Sequence, residues 1–344
     1  MKTPPDTFLG QLAVGARPVR PWLRVRASGW WARVLIAGGA QYQHEFMARN
    51  EVPAYNDNGP RQAPAVEHRV IGADLPLVPG AMLPRADLSG ANLTSANLAE
   101  TNLTRADLTS ADLTDGDLTR AYLPGANLTR ANLARAYLPG ANLTGADLTD
   151  VNLVIADLTG ADLTDVNLVI ADLTGADLTD VYLKHAYLPG ANLTGANLTD
   201  ADLTRAMLTA SDLTSANLTR ANLPDVYLAR TDLVEANLTR ANLVKADLMG
   251  ADLSDADLTD ANLTDVILTR TKLTRANLTG ANLTHARLAG TDLIEVVWSE
   301  RTQWPDDFGA RMRARSVALG GGRYRVQGSG NSGADLSVPP VPVS

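Results

Sequence analysis

Cysteine is absent from this 344-residue chain, histidine occurs four times, and aromatic residues make up 5% of it. Without cysteine there is no disulfide framework and no thiolate nucleophile or ligand, a usage expected of a reducing, cytoplasmic setting. The histidines are scattered: His44 and His68 have no ligand-spaced partner, and His185 and His285 are far apart in the chain. No glycine-rich loop follows a strand-like run, so nothing offers to cradle a phosphate. Residues 30–40 (WWARVLIAGGA) are apolar apart from Arg33 but span only eleven positions, against about 20 for a membrane-spanning helix. Basic residues ahead of that stretch admit a secretory signal, but it would begin late and has no clean cleavage site. These absences argue against an enzyme, a cofactor, a metal centre and a membrane segment.

What the chain has instead is a five-residue repeat. Leucine occupies position 83 and every fifth position through 293, 43 times without a slip. Two residues before it stands alanine in 32 units, and Gly, Ser, Thr or Val in the others. One residue before it stands Asp in 16 units and Asn in 17. Thr usually follows, and then a variable residue.

A five-residue step turns an α-helix through about 500°, so the leucines would drift by about 140° and make no stripe. In an extended segment, by contrast, Ala and Leu are two apart and point the same way. The remaining residues must turn the chain so that the next Ala/Leu pair also faces inward. A right angle at each unit closes a square after four units, and squares stacked about 4.8 Å apart make a solenoid of parallel strands. Leucine burial, roughly 1.5–3 kcal/mol each, drives the stacking. Asp and Asn side chains can satisfy turn backbone locally. Leu-Pro-Gly-Ala at 123–126, 138–141 and 188–191 fits a type II turn. Corners with Thr-Asp or Thr-Arg lack that glycine and are expected to be more open.

The array resembles the pentapeptide-repeat family, whose consensus A(D/N)LXX it matches from Ala81 to Leu293. The resemblance implies an all-β fold, a right-handed quadrilateral parallel β-helix of about eleven coils with Leu and Ala inside. Right-handedness also agrees with the general preference of parallel crossovers. The expected organisation is an irregular, largely disordered N-terminal flank (1–72), the β-helix (73–295), a C-terminal aromatic cap (296–310) and a disordered tail (311–344). Ala73-Asp74-Leu75 stands out of register with Leu83 and reads as an imperfect first coil or cap.

The N-terminal flank combines Arg17, Arg20, Arg24, Arg26 and Arg33 with Trp22, Trp30 and Trp31. It reads either as a loose extension or as a basic-aromatic arm for nucleic acid or a membrane surface. After Leu293 the pattern stops, and Trp298, Trp304 and Phe308 arrive where the leucine stack ends. They suggest a lid over the last coil. The family resemblance also implies that such a cap can mediate a homodimer through the C-terminal end.

Charge is unevenly placed. Residues 81–295 carry 15 basic and 28 acidic side chains, net −13, whereas both flanks are slightly basic. With four units per coil, every fourth unit shares a side. The side through Leu93, Leu113 and Leu133 carries Asp112, Asp115, Asp172, Asp212, Asp232, Glu235, Asp252, Asp255, Asp292 and Glu295 against Arg135, Lys272 and Arg275, net −7. The next side, through Leu98, is −5, and the other two are close to neutral. The expected function is a non-catalytic scaffold that binds a protein partner through this acidic surface, without direct nucleic-acid binding by the repeats. The resemblance implies an alternative, because some family members mimic DNA and bind DNA gyrase, a type II topoisomerase. Here the mimicry would be dilute, one charge per ~4 Å against one per ~1.7 Å in duplex DNA. Finally, residues 151–165 recur unchanged at 166–180. Fifteen residues are three units rather than four, so the copy is rotated by a quarter turn, which favours bulk length and charge over any single side chain.

Overall fold

The computed structural model describes residues 23–27, 30–34, 78–306 and 308–327. The chain divides into two units, Met1–Ala63 and Pro64–Ser344. In the first, β1 (Leu23–Ala27) pairs antiparallel with β2 (Trp30–Val34), Leu23 opposite Val34 and Ala27 opposite Trp30. The flank expected to be irregular over 1–72 therefore contains a two-stranded ribbon. Leu23, Val25 and Ala27 alternate with Arg24 and Arg26, a strand period that the basic-aromatic reading passed over, and two residues separate the strands, the commonest hairpin spacing. The rest of 1–72 and Ala73-Asp74-Leu75 lie outside the described residues.

In the second unit the Asp/Asn position of each repeat forms a parallel bridge with the residue twenty positions on. The series runs from Met82 with Asn102 to Asn277 with Val297 without a gap. Twenty residues are four repeats, so each coil has four sides. Three backbone bonds per repeat join the coils: Leu93 N–H donates to the Asp112 carbonyl at 2.7 Å, Ser95 N–H to the Thr114 carbonyl at 2.8 Å, and Asp112 N–H to the Ala91 carbonyl at 2.9 Å. Every repeat leucine from Leu88 to Leu283 is buried. From residue 211 onward, where Ser or Thr replaces the small apolar residue, its hydroxyl donates to a leucine carbonyl 23 residues earlier: Ser211 to Leu188 at 2.6 Å, Thr231 to Leu208 at 2.8 Å, Thr271 to Leu248 at 2.7 Å. A buried hydroxyl left alone would cost free energy, and these are paired.

The corners are alike whatever occupies them. At Gly125, Arg120 and Asp115 φ is +62°, +52° and +57°. The leucine carbonyl of each corner accepts an N–H three residues on, at 3.0, 2.9 and 2.9 Å. The more open Thr-Asp and Thr-Arg corners expected from sequence are thus corrected. Stacking fixes the turn, and the Asx side chain braces it: Thr104 N–H and Oγ1 both donate to Asn102 Oδ1, at 3.0 and 2.6 Å. A non-glycine residue held in this left-handed region costs roughly 1–2 kcal/mol, which the coil above and below sustains.

At the C-terminal end the last bridge, Asn282 with Gln303, spans one residue more than the others. β3 (Val297–Ser299) continues one side of the helix. α1 (Phe308–Ala314), β4 (Ser316–Gly320) and β5 (Arg323–Val326) follow, and the strands form an antiparallel sheet in the order β3-β5-β4. The cap expected to end at 310, and the tail expected to be disordered from 311, are corrected: ordered structure runs on to Gln327. Trp298 takes a leucine position and stacks on Tyr324 at 4.8 Å between centroids, with Trp304 edge-on at 5.9 Å and Phe308 5.5 Å from Trp304. Trp298 Nε1 donates to Ser316 Oγ at 2.9 Å, and the Arg313 guanidinium lies 3.9 Å over the Tyr324 ring. These aromatic contacts tie the sheet to the end of the leucine stack. Among the described residues no helix is long and apolar enough to cross a membrane.

Candidate interaction surface

All ten acidic residues picked out from the sequence fall on one side of the β-helix. Its outward row reads Asp112, Asn132, Asn152, Asp172, Asn192, Asp212, Asp232, Asp252, Lys272, Asp292, each bridged to the next. Asp115, Glu235, Asp255 and Glu295 occupy the corners beside that row, all with positive φ.

The basic residues of this side are spent within it. Arg135 Nε and Nη2 hold Asp115 at 2.8 and 2.7 Å. Arg275 Nε and Nη2 hold Asp255 at 2.6 and 2.5 Å, and Lys272 Nζ lies 2.8 Å from Asp252. Each partner stands one coil back. The hydrogen bonds from Arg135 and Arg275 hold Asp115 and Asp255 below the usual carboxylate range. Burial pushes Asp252 up, but hydrogen bonds from Lys272 and Ser254 outweigh it and leave it lowered. The Thr114 hydroxyl does the same for Asp112. Among the described residues Asp212, Asp232 and Glu235 form no ion pair; they accept from Thr214 N–H (2.9 Å), Val234 N–H (3.1 Å) and Ser215 Oγ (3.1 Å). Asp112, Asp172, Asp292 and Glu295 likewise form no ion pair among the described residues, and Asp212, Asp232 and Glu235 are the group of these seven that stands together in two adjacent coils. On the adjoining acidic side Arg220 pairs with Asp200, and Arg301 from beyond the repeats pairs with Asp260.

Sequence reasoning missed an apolar feature. Tyr187, Met207 and Tyr227 occupy the Asp/Asn position in three consecutive coils, and all three are exposed. The signal was present, since these residues stand twenty apart where Asp or Asn is the rule. His185 and His285 lie at corners of one nearly neutral side, and His285 Nδ1 is 3.3 Å from Asp265. Among the described residues no three His, Asp or Glu side chains converge to hold a metal ion.

A four-sided parallel β-helix with a leucine column and turn-bracing Asx side chains defines a repeat solenoid. The pentapeptide-repeat family model matches it in eight copies within residues 86–293, and the chain belongs to that family. Similar solved structures include HetL from the cyanobacterium Nostoc sp. strain PCC 7120, a pentapeptide-repeat protein involved in heterocyst differentiation regulation. It is 34% identical, with 62% of this chain and 89% of HetL covered and a TM-score of 0.29. Rfr23 from the cyanobacterium Cyanothece 51142 is 35% identical over 33% of this chain and 63% of its own, with a TM-score of 0.18. QnrB1, a plasmid-mediated fluoroquinolone resistance protein, is 19% identical over 67% of this chain and 92% of its own, with a TM-score of 0.25. No curated protein matches the chain.

Proposed function

We propose that this protein is a non-catalytic interaction scaffold, a right-handed β-helix of about eleven coils that binds a basic protein partner through its acidic side. The observation that carries this reading is the unpaired group Asp212, Asp232 and Glu235, held in adjacent coils after Arg135, Lys272 and Arg275 have each paired elsewhere. A rigid row of one charge sign attracts and orients an opposite surface, with strong dependence on ionic strength. The cysteine-free composition suits a cytoplasmic setting. The test is capture of partners by the full chain at low and high salt, alongside a variant carrying Asp212→Asn, Asp232→Asn and Glu235→Gln. Salt-sensitive partners should be lost from the variant. Identical capture by both proteins refutes the acidic side as the binding surface.

A second reading draws on the regular spacing of Asp212, Asp232 and Asp252 in successive coils, which lie about 4.8 Å apart at the strand spacing. A ladder of carboxylates on a rigid solenoid can stand in for a phosphate backbone, with DNA gyrase or another type II topoisomerase as the partner. A supercoiling assay with and without a quinolone decides it. Excess protein that neither inhibits nor protects the enzyme rules this reading out.

A further inference from the structure

Residues 308–327 hold five arginines and no Asp or Glu, the reverse of the acidic β-helix that they close. Arg313 is engaged, with Glu300 Oε1 3.5 Å away and the Tyr324 ring 3.9 Å beneath its guanidinium. Arg315, Arg323 and Arg325 form no ion pair among the described residues. β4 is the edge of the terminal sheet. Along β5 exposure alternates, Arg323 and Arg325 outward, Tyr324 and Val326 inward. Val317 stands directly opposite Arg325 and shares its outward face. Val317 and Leu319 are 41% and 39% exposed. The main chain of β4 is open on one side. Val326 N–H donates away from β4, to the Val296 carbonyl, whereas Gln327 N–H donates to the Arg315 carbonyl. Antiparallel pairs alternate in this way, so Ala318, opposite Tyr324, turns its N–H and carbonyl to the open edge. Such an edge is a template for another strand.

We propose that β4 takes an extended acidic segment of a partner protein as a further strand of the terminal sheet. Ala318 supplies main-chain hydrogen bonds, Val317 and Leu319 supply apolar cross-strand contact, and Arg315, Arg323 and Arg325 supply the charge that selects carboxylates. Charge decides between occupants. A second copy of the chain, pairing β4 to β4 about a two-fold axis, would gather the arginines of both copies at one seam, with no acid in 308–327 to offset them. A nucleic acid matches the arginines through its phosphates but leaves the Ala318 edge and the Val317–Leu319 row without a counterpart. An acidic strand answers all three. None of these residues belongs to the acidic side, so the proposal stands whether or not that side binds a partner.

The test is fluorescence anisotropy of labelled peptides with the full chain. A short peptide of alternating valine and glutamate should bind, with an affinity that falls as salt rises. The same peptide N-methylated at every residue keeps its charge but cannot donate to a strand edge, and should bind about tenfold more weakly. Because that comparison uses the unaltered protein, it does not depend on how a variant folds. Arg323→Gln combined with Arg325→Gln should weaken the first peptide by about the same factor. Ala318→Pro should do likewise, since it removes an N–H at the open edge and leaves the β4–β5 bonds in place. Failure of the valine–glutamate peptide to bind would overturn the proposal. So would equal binding of its N-methylated form or of a valine–lysine peptide, or tighter binding of a thymidine oligonucleotide of similar length.

Discussion

Arg275 reaches back one full coil to Asp255, its Nε and Nη2 donating to the two carboxylate oxygens at 2.6 and 2.5 Å. Arg135 and Asp115 repeat the arrangement 140 residues earlier on the same side, at 2.8 and 2.7 Å. The coil geometry explains it: a residue and the one twenty positions on stand about 4.8 Å apart, and a guanidinium fork matches a carboxylate bidentately across that step.

These pairs set an acid limit. Asp115, Asp200 and Asp255 are lowered from the ordinary 3.8 by their arginines, and Glu300 from 4.5 by the hydroxyl of Tyr324 and by Arg313. A carboxyl that titrates lower in the folded chain than in the unfolded one contributes stability that is complete above its unfolded value. That stability is lost as pH falls through its folded value. Thermal midpoints at pH 6, 4 and 3 should therefore fall in that order. A midpoint at pH 3 equal to that at pH 6 contradicts these pairings.

Leu183 is fully buried. Leu183→Ala should lower the unfolding free energy by about 2–5 kcal/mol. Leu183→Asp should do more damage, since it buries an unpaired charge. Because each coil touches only its neighbours, hydrogen exchange should accelerate locally around residues 163–203 rather than throughout. Denaturant midpoints that do not move would place Leu183 outside the core.

Ile155 is 63% exposed and sits at φ +58°. A β-branched residue is poorly suited to that conformation, whereas asparagine tolerates it. Ile155→Asn should raise the stability by about 1 kcal/mol, read as a higher denaturant midpoint with an unchanged slope. A lower midpoint would mean that the isoleucine makes a contact worth more than its strain.

Gly145 and Gly280 have φ +62° and +72°, so alanine is strained at either. They differ in space. A Cβ at 145 meets nothing within 4 Å, while one at 280 would collide with Asp260 Oδ1 and come within 3.0 Å of Arg301 Nη2. Gly145→Ala should cost about 1–2 kcal/mol, the left-handed strain alone. Gly280→Ala should cost more and detach Arg301 from Asp260, next to the terminal sheet. Equal losses for the two variants would show that the Asp260–Arg301 pair yields without cost.

The leucine period made the four-sided coil legible, because five residues fit no other regular arrangement that keeps 43 leucines on one side of the backbone. It could not show the corners. Arg120, Asp115 and Ile155 give no local sign of positive φ, which closure of the coil imposes on them. The terminal sheet was more readable than the tail reading allowed: Gly321-Gly322 separates SVALG from RYRV, a hairpin signal between two short β-prone runs. The Gly/Ser/Pro-rich composition of the end drew the expectation toward disorder. The acidic side was assignable once four units made a coil, but its internal cancellation through Arg135, Lys272 and Arg275 depends on side-chain reach. The tyrosine stripe needed only the same twenty-residue comparison applied to apolar residues.

The identical stretches 151–165 and 166–180 set Ile155 and Ile170 at corners of two neighbouring sides. All four walls share one inner lining, so any whole number of units can enter without disturbing the interior, while everything downstream is re-indexed on the exterior. Asp212, Asp232 and Asp252 stand in line with Asp112 only because of those fifteen residues. Removing 166–180 would leave the leucine column continuous and swing the acidic ladder from Asp212 onward into line with Asp117 and Asp157, away from Asp112. In this architecture the pattern a partner meets is set by a count of units, as a combination lock is set by the number of clicks.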